Sequence, residues 1–156
     1  MLEQNLQINQ RALVHGRELL KFIKRNFILT YGDASKRPDG APFMRDGQEK
    51  FHRSKKRIRL LRGRNVSGKT HAGACEAIAY CLGCRPWLSK TDPDYKTPFE
   101  APVIGRVFGE DFKRHIEGII VPTFQGLIEK KSIRFERNNN KAISVMHFQN
   151  GSKIEF

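Results

Sequence analysis

The sequence predicts an α/β fold: a mostly parallel sheet with helices on both faces, ending in an antiparallel hairpin. Three observations carry that prediction. A short apolar run, Arg57-Ile58-Arg59-Leu60-Leu61, leads through a Gly-rich turn into a stretch of helix formers. A second apolar run and a second amphipathic stretch repeat this order after a Pro-rich loop. Two alternating runs joined by Asn and Gly then follow.

Residues 8 to 29 read as an amphipathic helix. Leu13, Leu20, Ile23 and Phe27 recur at helical spacing, with Arg11, Arg17, Lys21, Lys24 and Arg25 on other faces. Glu18 interrupts the face, which favours an accessory helix packed on the domain or a partner over a membrane-surface helix. Residues 31 to 47 hold Gly32, Asp33, Pro38, Asp39, Gly40, Pro42, Asp46 and Gly47, all turn formers, and read as a loop. The chain divides into an N-terminal arm, 1–47, and a domain, 48–156.

Within the domain, residues 57–61 are the first strand. Residues 70–82 are a helix rich in Ala, stopped by Gly83 as a C-cap. Pro86, Pro93, Pro98 and Pro102 mark a loop over 85–102, which Trp87 anchors. Val103 to Phe108 reads as a buried strand, and Asp111 to Gln125 as a helix that Pro122 breaks late. Strands over 132–137 and 143–148 flank the turn Asn138-Asn139-Asn140. Asn150-Gly151 is a hairpin signal leading into residues 153–156.

The turn after the first strand is Gly63-Arg64-Asn65-Val66-Ser67-Gly68-Lys69-Thr70, which matches G-x-x-x-x-G-K-[ST] at every fixed position. Gly63 and Gly68 allow the backbone to approach an anion closely. Amides of the loop and helix start point at phosphate oxygens, Ser67 and Val66 helping to cradle them. Lys69 reaches the terminal phosphates, and the Thr70 hydroxyl holds Mg2+. The cofactors implied are ATP and Mg2+.

Charge adds a second ligand class. Lys and Arg total 29 against 16 Asp and Glu, for a net charge of +13. Beside a nucleotide loop, that excess points to nucleic acid. Arg53, Lys55, Lys56, Arg57, Arg59 and Arg62 form a dense run in which Arg53, Lys55 and Lys56 are candidate DNA-phosphate contacts. Alternation sets Arg57 and Arg59 opposite Ile58 and Leu60, so a solvated strand edge explains part of the run equally well. No stretch is long and apolar enough to span a membrane, and the first residues do not read as a signal peptide. Cys75, Cys81 and Cys84 fit a reduced intracellular protein, and Cys75 and Cys81 read as small core groups. Cys81-Leu82-Gly83-Cys84 lacks a second pair for zinc, and His52, His71, His115 and His147 form no metal spacing.

Hydrolysis at such a loop also needs a carboxylate after a buried strand. Val107-Phe108-Gly109-Glu110-Asp111 is the nearest stretch, but its acids read better as the cap of the next helix.

Residues 48 to 156 resemble the N-terminal ATPase portion of the large terminase subunit of tailed phages. Gln48-Glu49-Lys50-Phe51-His52 stands upstream of the first strand, where that family places an adenine-reading Gln. Residues 57–70 are similar to its Arg-bearing phosphate loop, and Val103 to Leu127 to its second strand and helix. Phe148 to Phe156 resembles its Asn-Gly-Ser hairpin, which precedes the acidic strand. The resemblance implies a P-loop NTPase domain of the ASCE-like kind, incomplete here because the sequence stops before Walker B. It implies that Gln48 meets adenine and that Arg64, with Lys69, acts on the phosphates. It further implies an ATPase that pumps double-stranded DNA into a capsid from the cytoplasm of an infected bacterium. Its partners there would be a portal protein, a small terminase subunit and copies of itself in a ring. The fragment itself would bind ATP without turnover. Two rivals stand beside it: a self-sufficient P-loop kinase or NTPase using Glu110 or Asp111, and a basic DNA-binding fragment without turnover.

Overall fold

The computed structural model describes residues 28, 31, 46–64 and 68–156. The helix expected over 8–29 and the loop over 31–47 therefore fall mostly outside the described residues, as do Asn65, Val66 and Ser67. The described residues form a mixed α/β fold.

Helix α1 (Asp46–Arg53) begins where a loop was expected to continue, so Asp46 and Gly47 are helical. Helix α2 (Lys69–Leu82) matches the prediction. Its small residues allow close packing: Ala72, Ala74, Cys75, Ile78, Ala79 and Cys81 are all buried. Gly83 ends it at φ 74°, with Gly83 N–H donating to Tyr80 O and Cys84 N–H to Ala79 O. This paired closure requires a left-handed residue, and glycine adopts that conformation without a Cβ penalty. Burial pushes the Cys81 thiol up to about 12, as expected of a core group.

Strand β1 (Ile104–Arg106) is shorter than the run over 103–108. A π-helical segment (Phe112–Ile120) follows, then α3 (Val121–Leu127). Asp111 caps the segment, its Oδ1 accepting from Arg114 N at 2.6 Å. Pro122 falls in the first turn of α3, where its missing N–H costs nothing, so it marks the change of helix type rather than a late break. A 3-10 turn (Lys130–Ser132) leads into β2 (Ile133–Arg137), β3 (Ile143–Phe148) and β4 (Lys153–Glu155).

The sheet order is β1-β4-β3-β2. Only β1 and β4 run parallel; β4–β3 and β3–β2 are antiparallel. The expectation of a mostly parallel sheet is thus corrected. Short turns at 138–142 and 149–152 allow only antiparallel neighbours, and the one parallel pair is joined through helices.

Helices cover one face of this sheet. Register places Ile133 and Phe135, Phe148 and Met146, Ile154 and Gly105 on one side. All but Gly105 join or pack on the main core with Ala74, Cys75, Ile78, Phe124 and Leu127. The other side presents Arg134, Glu136, His147, Lys153, Glu155, Ile104 and Arg106. Among the described residues that face carries no helix, and its polar side chains suit water. Ile28 and Tyr31, from before residue 48, are buried in the same core. Trp87 packs edge-on against Tyr31 and anchors its loop as expected.

The segment 57–61 forms no strand. Ile58 is 89% exposed and Leu60 74% exposed. Its alternation is real but inverted: the apolar side faces out, while Arg59 turns inward to Glu76 and lies over the Phe51 ring. Two buried-side attractions outcompete Ile58 and Leu60: a charge pair on Glu76 and a cation–π contact. Ile104, on β1, is also 69% exposed, so its strand is an edge and not the buried strand expected.

Candidate nucleotide-phosphate site

The site is built at the N-terminal end of α2. Gly68 precedes the helix at φ 78° and, as a glycine, offers the first turn no side-chain cap. Ala72 N–H bonds to Gly68 O at 2.9 Å, so the helix is closed from its first residue. The Lys69 ammonium folds back over the chain, donating to Gly63 O at 2.8 Å and Arg64 O at 2.7 Å. Thr70 follows on the exposed side of the helix. The helix's first amides, the lysine that opens it and a hydroxyl one residue later share one end of one helix.

That end opens on a cleft of about 1260 Å³, above the roughly 300–1,000 Å³ of ordinary ligand pockets. Gly68, Lys69 and Thr70 line one wall; Arg106, Glu110 and His115 line the other. The fold thus brings Glu110 toward the loop. Asp111, its neighbour, is committed to Arg114 N and does not line the cleft. His115 Nδ1 stands 3.9 Å from Glu110 Oε2 and is buried without a hydrogen-bond partner. Gly109 packs tightly on the π-helical segment: a Cβ there would lie 2.9 Å from Ile116 Cδ1.

Lys69 and Thr70 suit a Mg2+-nucleotide. The metal keeps several waters and takes few protein ligands, so one hydroxyl beside phosphates suffices. The described residues include no group of three or more His, Cys, Asp or Glu placed to hold a metal themselves.

Of the other sequence candidates, Gln48, Gly63 and Arg64 adjoin the Lys69 end of α2, and Arg53 is engaged by acids. Gln48 is 5% exposed and rests against Gly68, its Nε2 2.4 Å from where a Gly68 Cβ would stand. Gly63 and Arg64 are exposed. The Arg53 guanidinium meets Glu49 at 2.9 Å and Asp92 and Asp94 at 3.2 Å each. Lys55 and Lys56 are exposed, Lys55 lying 3.9 Å from Asp94.

Sequence reading missed the most heavily bonded group. Glu76, on α2, is 4% exposed. Its carboxylate meets His52 Nδ1 at 2.7 Å, Arg59 Nη1 at 2.8 Å and Arg85 Nη2 at 3.0 Å. Burial alone would raise its pKa, but hydrogen bonds from His52, Arg85 and Arg59 outweigh that and bring it to about 2. Around it, His52 Nε2 faces the Tyr31 hydroxyl at 3.3 Å, Arg59 bonds Tyr80 OH, and Arg85 donates to Asp94 O at 2.7 Å. A lone acid among Ala72, Cys75 and Ala79 on one helix face was the available signal.

Between this hub and β1, the edge strand among the described residues, lies a second cavity of about 430 Å³. Phe51, Tyr80, Phe99 and Ile104 line it, with Glu76 in its wall. Among the described residues no helix is long and apolar enough to cross a membrane.

Comparison of this chain with protein-family models, curated proteins and solved structures returns no match.

Proposed function

We propose that residues 63–70 hold the phosphates of ATP with Mg2+, and that the chain is the nucleotide-binding part of a DNA-packaging ATPase of the terminase kind. The observation that carries the reading is the Lys69 ammonium, drawn over the loop by the Gly63 and Arg64 carbonyls at the open end of α2. Anionic phosphate oxygens are stronger acceptors than those carbonyls, and the helix end favours negative charge. Thr70 would share Mg2+ with the phosphates. Bound Mg2+ would neutralise charge on them.

The edge position of β1 among the described strands and the exposed Ile58 and Leu60 support the second half of the proposal. A further strand pairing with that edge would extend the sheet, and on this reading it would carry the carboxylate that hydrolysis requires. The same proposal has this chain hold ATP without turnover. Duplex DNA, and the ring, portal and small-subunit partners of that machine in an infected bacterium, belong to the same proposal. The net charge of +13 favours the polyanion.

Glu110 favours one rival specifically. It lines the cleft with Lys69 and Thr70, where a self-sufficient NTPase or kinase would want an acid.

Equilibrium binding of labelled ATP, with and without Mg2+, tests the phosphate site. Wild-type chain should retain ATP with Mg2+, and Lys69→Ala should lose it. Equal retention by both would remove the loop from the account.

A further inference from the structure

Gln48 and His52 stand one turn apart on α1 and form its buried face, at 5% and 2% exposure. Each touches α2 at a different height. His52 bonds Glu76, two turns along α2. Gln48 lies against Gly68, the residue from which α2 starts, so close that a Cβ on Gly68 would stand 2.4 Å from its Nε2. Helix α1 therefore braces α2 at two points, one of them immediately before Lys69 and Thr70. It is tied down elsewhere as well, by the Arg53 contacts to Asp92 and Asp94.

An amide that read a base would present its edge to open space at the cleft. Gln48 is buried instead, and it does not line the cleft that Lys69 and Thr70 share. We infer that Gln48 is a positioning residue for the phosphate loop: it sets Gly68, and through it the Lys69 ammonium and the first amides of α2, and it does not select the base. This rests on the phosphate-site reading above. It differs in which part of the ligand Gln48 serves.

The chemistry of the two roles separates cleanly. A positioning residue affects every ligand that carries the polyphosphate, and a base reader affects only adenine. The experiment measures the Mg2+-dependent affinity of the full chain for ATP, GTP and inorganic tripolyphosphate. It compares wild type, Gln48→Ala and Gln48→Asn, the last keeping the amide but one methylene short of Gly68. Both variants should weaken all three ligands by a similar factor, about tenfold, with the ATP-to-GTP ratio unchanged and the urea midpoint close to wild type. Loss of the ATP-to-GTP ratio with tripolyphosphate unaffected would overturn the inference, as would unchanged affinity for all three. A variant without a cooperative urea transition overturns it too, because Gln48 would then serve the global fold. Failure of wild type itself to bind any of the three ligands strikes the phosphate-site reading instead, and the inference falls with it.

Discussion

The two ends of α2 are built on opposite plans. Its interior is closed: Glu76 meets three cationic or imidazole partners, Gly83 completes the helix end, and Asn150 and Ser152 both donate to Cys81 O. Its N-terminal end is open: Gly68 offers it no side-chain cap, Thr70 is exposed, and Lys69 is held by main-chain carbonyls. One helix carries both, so the closed end can fix the position of the open one. Polar groups that hold the fold have their partners supplied at the closed end, while the other end leaves Thr70 exposed.

The difference predicts separable effects. Glu76→Ala should cost the most stability. Removing the carboxylate leaves Arg59 and Arg85 buried without a counter-charge, which costs about 3–5 kcal/mol; urea unfolding measures it. Lys69→Ala should act at the other end. It should weaken Mg2+-ATP by about 1.5–3 kcal/mol, roughly ten- to a hundredfold. It should shift unfolding by no more than about 0.5 kcal/mol. If Lys69→Ala unfolds the chain, or Glu76→Ala leaves the urea midpoint in place, the contrast between the two ends fails.

Acid should open the closed end first. The Glu76 pKa is depressed in the folded state, so its contribution is complete above the ordinary carboxylate range near 4.5. It is lost progressively as pH falls toward about 2. The urea midpoint of wild type should therefore drop across that window, and Glu76→Gln should flatten the drop. The smallest effect sharpens the comparison from outside α2. Asp111→Ala removes the cap of the π-helical segment and should cost about 1 kcal/mol, with Lys69-dependent binding retained.

Local signals were the legible ones. The α2 span, its Gly83 stop, the Asp111 cap and the Asn150-Gly151 turn each depend on residues within a few positions of one another, and each stands where expected. The Gly-Lys-Thr run was legible for the same reason, since Gly68, Lys69 and Thr70 are adjacent.

Long-range competition hid the rest. Ile58 and Leu60 alternate as in a buried strand, yet Glu76, seventeen residues beyond Arg59, draws the opposite side inward. Parallel order was expected from the alternation of strands and helices, but three of the four strands are set by their turns. The hub itself gathers His52, Arg59, Glu76 and Arg85 from separate elements, and no spacing rule connects them. Gln48 was legible as a candidate polar group, but its packing on Gly68 was not.

The most direct test of the central claim is single-turnover chemistry, with the chain in excess over labelled ATP and Mg2+. Bound and hydrolysed nucleotide are scored together, with Lys69→Ala as control. The account predicts ATP that is retained, uncleaved and lost in the Lys69 variant. Lysine-dependent cleavage by this chain would contradict it and turn attention to Glu110 on the facing wall of the cleft.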